Sequence, residues 1–208
     1  LPAEPVSTDF GLSRGRPIDR VYIEQFLSAH QERITGRVLE VGGGLYTGQF
    51  GGEAVDIGDV LHVDDSNLQA NVIGDLSKPD DFQADQYDCV ILTQTLQFIF
   101  DLQATVTTLN KILRPGGTLL ATVPGISQIS RYDMDRWGDY WRFTDAAIER
   151  LFGDNSMWGA SAISSYGNVR TSAGMLYGLS AEELPADAFT NDDADYQLII
   201  GIAVSRVS

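Results

Sequence analysis

Apolar positions along the chain switch between two periods, and the switches mark the elements. In RPIDRVYIEQFLSAHQERI, Val21, Tyr22, Phe26 and Leu27 recur at helical spacing and Pro17 suits a first helical turn, so a helix is predicted over 18–35. Short apolar or alternating runs at RVLEVG, DVLHVD, ANVIGD, YDCVIL, GTLLATVP, SAISSYG and YQLIIGIAVSRV read as strands. Helical patterns separate several of them, DLQATVTTLNKIL before the fifth and TDAAIERLF before the sixth. Strands alternating with helices predict an α/β fold, a largely parallel sheet covered on both faces. The opening LPAEPVSTDFGLSRGRP, residues 1–17, is rich in Pro, Gly and Ser and reads as an irregular lead-in. Residues 36–208 then form the core of one domain spanning 1–208.

Charge narrows the partners. With 29 acidic against 14 basic residues the formal net charge is −15, which opposes approach to polyphosphate, so no nucleic-acid partner is expected. No run reaches the ~20 apolar residues of a membrane span, and the N-terminus lacks the charged-then-apolar order of a signal peptide. The single cysteine, Cys89, sits in the apolar run YDCVIL and reads as a small core residue, which fits a reducing, cytoplasmic setting. The chain opens on Leu1 rather than Met, as a trimmed chain or one domain of a longer polypeptide would.

The first strand ends in an unusual way. VLEVGGG carries one carboxylate, Glu40, and then Gly42, Gly43 and Gly44, which let backbone approach a ligand that any Cβ would push away. In open parallel sheets ligands sit beyond the carboxyl ends of the strands, where this turn lies. A dinucleotide would need a third glycine in G-x-G-x-x-G, yet Tyr46 and Thr47 follow, and a carboxylate two residues before the first glycine would repel a pyrophosphate. It suits a cation.

At this point the sequence resembles the class I S-adenosylmethionine-dependent methyltransferases, whose first motif is an acidic residue, one spacer and G-x-G. ANVIGDLS resembles the family's third strand end, which implies Asp75 at the adenine amino group and Leu76 over the ring. About twenty residues past the glycines, VLHVDD closes on Asp64 and Asp65; the resemblance assigns Asp64 to the ribose, with Asp59 and Asp65 as alternatives. YDCVILTQTLQFIFDLQATVTTLNKILRPGGTLLATVP resembles the family's fourth strand, fourth helix, LRPGG turn and fifth strand, and brings Thr93 and Gln94 to the cofactor. Pro115 is expected to stop the helix and Gly116-Gly117 to turn the chain back. The resemblance runs clearly over 36–152 and implies a Rossmann-like, seven-stranded sheet of order 3-2-1-4-5-7-6 with the last strand antiparallel. RWGDYWRFT further resembles a subgroup found beside, or fused to, sugar-modifying and glycosyltransferase domains. Two departures stand out: Thr47 to Asp59 leaves little room for the long helix that normally joins the first two strands, and Gln97-Phe98 stands where many relatives carry Glu-His.

What the resemblance implies is methyl transfer from S-adenosylmethionine, with S-adenosylhomocysteine as product, to a small-molecule acceptor, on oxygen of a sugar or another secondary metabolite. Loops after the fourth and fifth strands bring Gln97, Tyr132, Trp141 and Arg142 toward the acceptor, with Asp139 and Tyr140 in catalytic roles and Asp133 as a further base or orienter. Trp137, Trp141 and Phe143 could wall the site or equally be core, Arg142 could pair with an acid, and Thr144 reads as a helix N-cap. His30 reads as solvated and His62, alternating with Leu61 and Val63, as structural. No Cys, His or acidic cluster has metal-ligand spacing, and NDDADYQ lacks a full calcium loop, so no metal is expected. The rival readings are a non-catalytic cofactor-binding module of a larger glycan-modifying protein and a nicotinamide oxidoreductase.

Overall fold

The computed structural model describes residues 2–153 and 156–207. Seven strands form one sheet in the order β3-β2-β1-β4-β5-β7-β6. They are β1 Gly36–Val41, β2 Val55–His62, β3 Val72–Ile73, β4 Tyr87–Thr93, β5 Leu113–Pro124, β6 Trp158–Tyr166 and β7 Ile199–Arg206. Pairings from β3 through β5 are parallel, and β7 runs antiparallel to both β5 and β6. The strand order is the expected one.

Both faces of the sheet are buried, which is why its strands read as apolar runs. Neighbouring residues alternate between two cores. Leu39, Val90, Leu92, Leu119 and Ala121 pack on one side with α2, Leu102–Ile112, through Val106, Leu109 and Ile112. Val38, Cys89, Ile91 and Leu120 pack on the other with α1, Ile18–Ala29, through Tyr22, Ile23, Phe26 and Leu27. Gly201 in β7 makes room for α1, since a Cβ there would stand 2.4 Å from the Phe26 ring. Cys89 is fully buried, and burial pushes its thiol up to about 12, so it is inert packing at neutral pH.

Local chemistry explains the helix ends. α2 starts where the Asp101 carboxylate accepts from Ala104 N at 3.0 Å, and its buried Thr105 and Thr108 hydroxyls donate back to the carbonyls of Asp101 and Ala104. α1 ends at Ala29 and gives way to a 3-10 turn at Gln31–Arg33, short of the predicted 35. Two short helices, α3 Arg131–Met134 and α4 Asp145–Ile148, begin at Ser130 and Thr144, whose hydroxyls accept from Asp133 N and Ala147 N. The Thr144 cap is as the sequence suggests.

Three local expectations change. β2 begins at Val55, earlier than DVLHVD implied, because Val55 pairs with Gly36 at the start of β1. Between β1 and β2 the chain makes only a π-helical turn at Thr47–Gly51 and a 3-10 turn at Gly52–Ala54, in line with the missing long helix. The LRPGG segment is not a turn ahead of its strand: α2 stops at Ile112, Leu113 already pairs with Tyr87, and Pro115 to Gly117 lie within β5 where its register slips. A fifth helix, α5 Val169–Leu176, was not foreseen.

Candidate functional site

The carboxyl ends of β1, β2, β3 and β4 open into one cavity of about 690 Å³. That size lies inside the ~300–1,000 Å³ range of small-molecule sites. Its floor is the glycine turn, with Glu40, Val41, Gly42 and Gly43 after β1, Leu61, His62 and Val63 at the end of β2, and Gly74 to Ser77 beyond β3. Thr93, Gln94 and Thr95 follow from β4, and Phe98, Ile99 and Phe100 from the loop after it. Asp19, Arg20 and Ile23 of α1 close one wall, and Trp137 and Tyr140 of the loop after β5 reach over the other.

Glu40 braces the turn. Its carboxylate is 3% exposed. It accepts from Tyr46 N at 3.1 Å, Thr47 N at 2.7 Å and the Thr47 hydroxyl at 2.8 Å. Burial pushes its carboxyl above the usual range, and those hydrogen bonds pull the other way. Gly42 adopts φ 85°, and a Cβ built there would meet nothing within 4 Å, so the space above it belongs to the cavity. Gln94 holds φ 47° without being glycine, and its N–H donates to Thr122 O at 2.8 Å. A non-glycine residue in this region is a local strain of the kind found at functional sites.

The acid beyond β3 is oriented by its own loop. Asp75 Oδ1 accepts from Ser77 N at 2.9 Å and Ser77 Oγ at 2.7 Å, and Lys78 Nζ stands 3.3 Å from Oδ2. Partial burial raises the Asp75 carboxyl, but these partners outweigh it and hold it below the usual range. Leu76 beside it is buried.

Of the residues singled out in the sequence, Glu40, Gly42, Gly43, Asp75, Leu76, Thr93, Gln94 and Tyr140 line the cavity, whereas Gly44, Asp64, Gln97, Tyr132, Asp139, Trp141 and Arg142 do not. Five of these others have a visible occupation. Asp139 is buried and forms a two-pronged ion pair with Arg142, with Nη1–Oδ1 at 2.6 Å and Nη2–Oδ2 at 2.9 Å. It also accepts from Ser130 N at 2.9 Å. Partial burial raises its carboxyl, but Arg142 and Ser130 bring it below the usual range, which makes it a weak proton acceptor. Arg142 additionally donates to Ser127 O at 3.2 Å, so the pair ties the loop after β5 into a knot. Trp141 donates from Nε1 to Ile99 O at 3.1 Å and stacks on Phe100 at 5.6 Å. Gln97 is buried, its side-chain amide donates to Gln94 O at 2.9 Å, and its backbone carbonyl accepts from Tyr140 N at 2.8 Å. Tyr132 is exposed under the Arg136 guanidinium, 3.5 Å from its centroid.

Among the lining residues that escaped the sequence reading are Arg20, Asp19 and His62. Arg20 Nη1 donates to the Tyr46 hydroxyl at 2.8 Å. Asp19 next to it accepts from Arg20 N at 2.8 Å, and burial pushes its carboxyl above the usual range, with Arg20 offsetting part of the rise. His62, read as structural, lines the cavity and meets the Trp137 ring edge-on at 5.7 Å. Among the described residues no three His, Cys, Asp or Glu side chains group as a metal site, and no helix is long and apolar enough to cross a membrane.

Comparison with known structures places this fold. A SAM-dependent methyltransferase from Archaeoglobus fulgidus superposes with TM-score 0.58 at 10% identity, over 89% of this chain and 94% of that one. A protein described as possibly exported, from Bordetella parapertussis, reaches 0.60 at 11% identity over 95% and 72%. Phosphoethanolamine N-methyltransferase 2 of Haemonchus contortus, solved with S-adenosyl-L-methionine, gives 0.56 at 12% identity over 89% of this chain, which spans 53% of that protein's length. At such identities the likeness speaks for the fold alone. No curated protein sequence matches the chain. The family model for a methyltransferase domain matches residues 17–156, from the start of α1 through the glycine turn, the cavity strands and the loop after β5, and the chain therefore belongs to the methyltransferase domain family.

Proposed function

We propose that this methyltransferase takes its methyl group from S-adenosylmethionine and delivers it to oxygen on a small, ring-shaped polar acceptor such as a sugar. The observation that carries the reading is the single cavity in which an open glycine turn meets an aromatic mouth. The residues suit the cofactor. Gly42 leaves free space where any side chain would project, and the acids Glu40, Asp75 and Asp19 give the cavity a negative lining suited to a sulfonium and an ammonium. Glu40, Gly42 and Gly43 would hold the amino-acid and ribose side, Asp75 and Leu76 the adenine, and Thr93 and Gln94 the region near the sulfur.

The bound cofactor supplies an already activated methyl group, so the protein's work is alignment and exclusion of water. Phe100 and Tyr140 pack edge-to-face at 5.4 Å at the mouth, presenting apolar ring surface and one hydroxyl. Such surfaces favour the faces of a sugar or aromatic ring while the hydroxyl orients a polar substituent. Tyr140 is the orienter we assign to the acceptor, and Asp139 with Arg142 supports it by fixing the loop that carries it. Tyr132, Trp141 and Gln97 support the same loop. The DYWRFT segment supports a place in the subgroup that works beside sugar-active domains.

Calorimetric titration of the chain with S-adenosylhomocysteine tests the cofactor, and saturable binding is expected. Incubation with methyl-labelled donor and a panel of glycosides and amines then tests the acceptor. Label on glycoside oxygen supports the reading, and label on amines alone would overturn it.

A further inference from the structure

We propose that the loop after β5 is a lid: its tip, residues 131–138, covers the cofactor half of the cavity, latched by Trp137 against His62, and its lifting sets the rate of cofactor exchange. The inference rests on the placement of the cofactor given above. Sheet order sets the reach that the tip needs. β5 and the end of β2 are three strands apart, with β4 and β1 between them, which is about 14 Å by ordinary strand spacing. Yet the Trp137 ring meets the His62 ring edge-on at 5.7 Å, and both residues line the cavity. The tip therefore crosses the carboxyl ends of β4 and β1, where Thr93, Gln94 and the glycine turn lie.

The neck of this loop is clamped and its tip is stiff. At the neck Ser130 N donates to Asp139 Oδ2 at 2.9 Å, Arg142 joins Asp139 to Ser127 O, and Tyr140 N donates to Gln97 O at 2.8 Å. Inside the tip Trp137 N and Gly138 N both donate to Asp133 O, at 2.8 and 3.2 Å, and the Arg136 guanidinium lies 3.5 Å from the centroid of the Tyr132 ring. Among the described residues, every hydrogen bond of residues 131–137 closes within the loop, and the ring contact that reaches beyond it is Trp137 on His62. Gly138 joins tip to neck at φ 92°, and a Cβ there would stand 2.3 Å from the Tyr140 ring, so the chain turns at a residue that only glycine fills. A stiff tip on a clamped neck, held at its far end by one aromatic edge, is built to lift as a unit. The Tyr140 hydroxyl donates to Trp137 O at 3.2 Å, which ties the acceptor-side ring to the same motion.

A lid and a fixed wall differ in kinetics. A latch made between two protein side chains opposes entry and exit alike, so removing it speeds both and leaves the equilibrium nearly where it was. A wall that touches the ligand acts on its departure.

Surface plasmon resonance of S-adenosylhomocysteine on the immobilised chain reads both rate constants. Trp137→Ala and His62→Ala are each expected to raise the association and dissociation rate constants together by about three- to ten-fold, the range that loss of one aromatic pair implies, with the dissociation constant changed by less than about two-fold. The double variant should be no faster than either single one, because the two rings make one latch. Trp137→Phe, which keeps a ring, should restore part of the slow exchange and guards against damage to the fold in the smaller variant. A rise in the dissociation rate alone would make the ring a direct ligand contact, unchanged rates would remove the tip from the path of the cofactor, and additive effects in the double variant would separate the two rings. Each of these overturns the lid while the cofactor reading stands. A wild-type chain that does not bind S-adenosylhomocysteine overturns both.

Discussion

At the scale of single residues, the cavity is defined by what its atoms already do. Two of its three carboxylates are engaged: Glu40 by the backbone of the glycine turn and Asp75 by Ser77 and Lys78. Asp19 accepts from its neighbour's N–H, and burial outweighs that bond and the Arg20 charge in its titration. The sign follows. With its folded pKa above the ordinary 3.8, ionised Asp19 favours the unfolded chain. That penalty is absent below the unfolded pKa, grows as pH rises through the folded one and is complete above it. Asp19→Asn should therefore raise the melting temperature at neutral pH and give no gain at pH below 3.8; a neutral-pH melting temperature equal to the wild type's would contradict it. Gly42 gives the complementary test, since φ 85° and empty space above it put any new side chain into the cavity at a backbone strain of about 1–3 kcal/mol. Gly42→Val should unfold cooperatively at a lower temperature and lose S-adenosylhomocysteine binding in calorimetry; retained affinity would move the ligand off the turn.

Elements show where sequence reading reaches and where it stops. The strands and their order were legible because burial on both faces leaves apolar runs such as YDCVIL, and the glycine turn because its composition departs from any packed strand. α5 was not, because its buried positions are Thr171, Ser172, Gly174 and Met175, which carry little apolar signal. The available mark was Asn168, whose side chain accepts from Thr171 N while the Thr171 hydroxyl accepts from Asn168 N. Asp19 and Arg20 were missed for another reason: α1 precedes the sheet in sequence, and only tertiary packing swings its first turn over the cavity. The DYWRFT segment is where the element view changes the prediction most. Trp141, itself off the cavity lining, anchors to Ile99 and Phe100, which are part of that lining. Trp141→Ala should cost roughly 1–3 kcal/mol of stability, in the usual range for lost packing, and leave S-adenosylhomocysteine affinity near that of the wild type. Lost affinity at unchanged melting temperature would instead put Trp141 against the ligand.

For the whole molecule, charge and chain ends act together. The lead-in has no helix or strand among its described residues, yet it is bonded down. Val6 N donates to Tyr177 O at 2.9 Å, Ala181 N donates to Arg16 O at 2.8 Å, Pro17 bridges to Ser180, and Arg14 pairs with Glu183. That pair is screened as salt rises and contributes little on an exposed surface. The opposing quantity is larger: 29 acids against 14 bases leave −15, and like charges held in one compact body repel more than in an extended chain. Salt shortens the range of both effects, to about 10 Å at 0.1 M. Because the acids outnumber the bases by about two to one, relief of repulsion should win, so the melting temperature should rise as sodium chloride goes from about 0.01 to 0.15 M, where the screening length falls from roughly 30 to 8 Å. A fall over that range would mean that Arg14–Glu183, Arg114–Asp88 and their like hold the fold more strongly than exposed pairs ordinarily do.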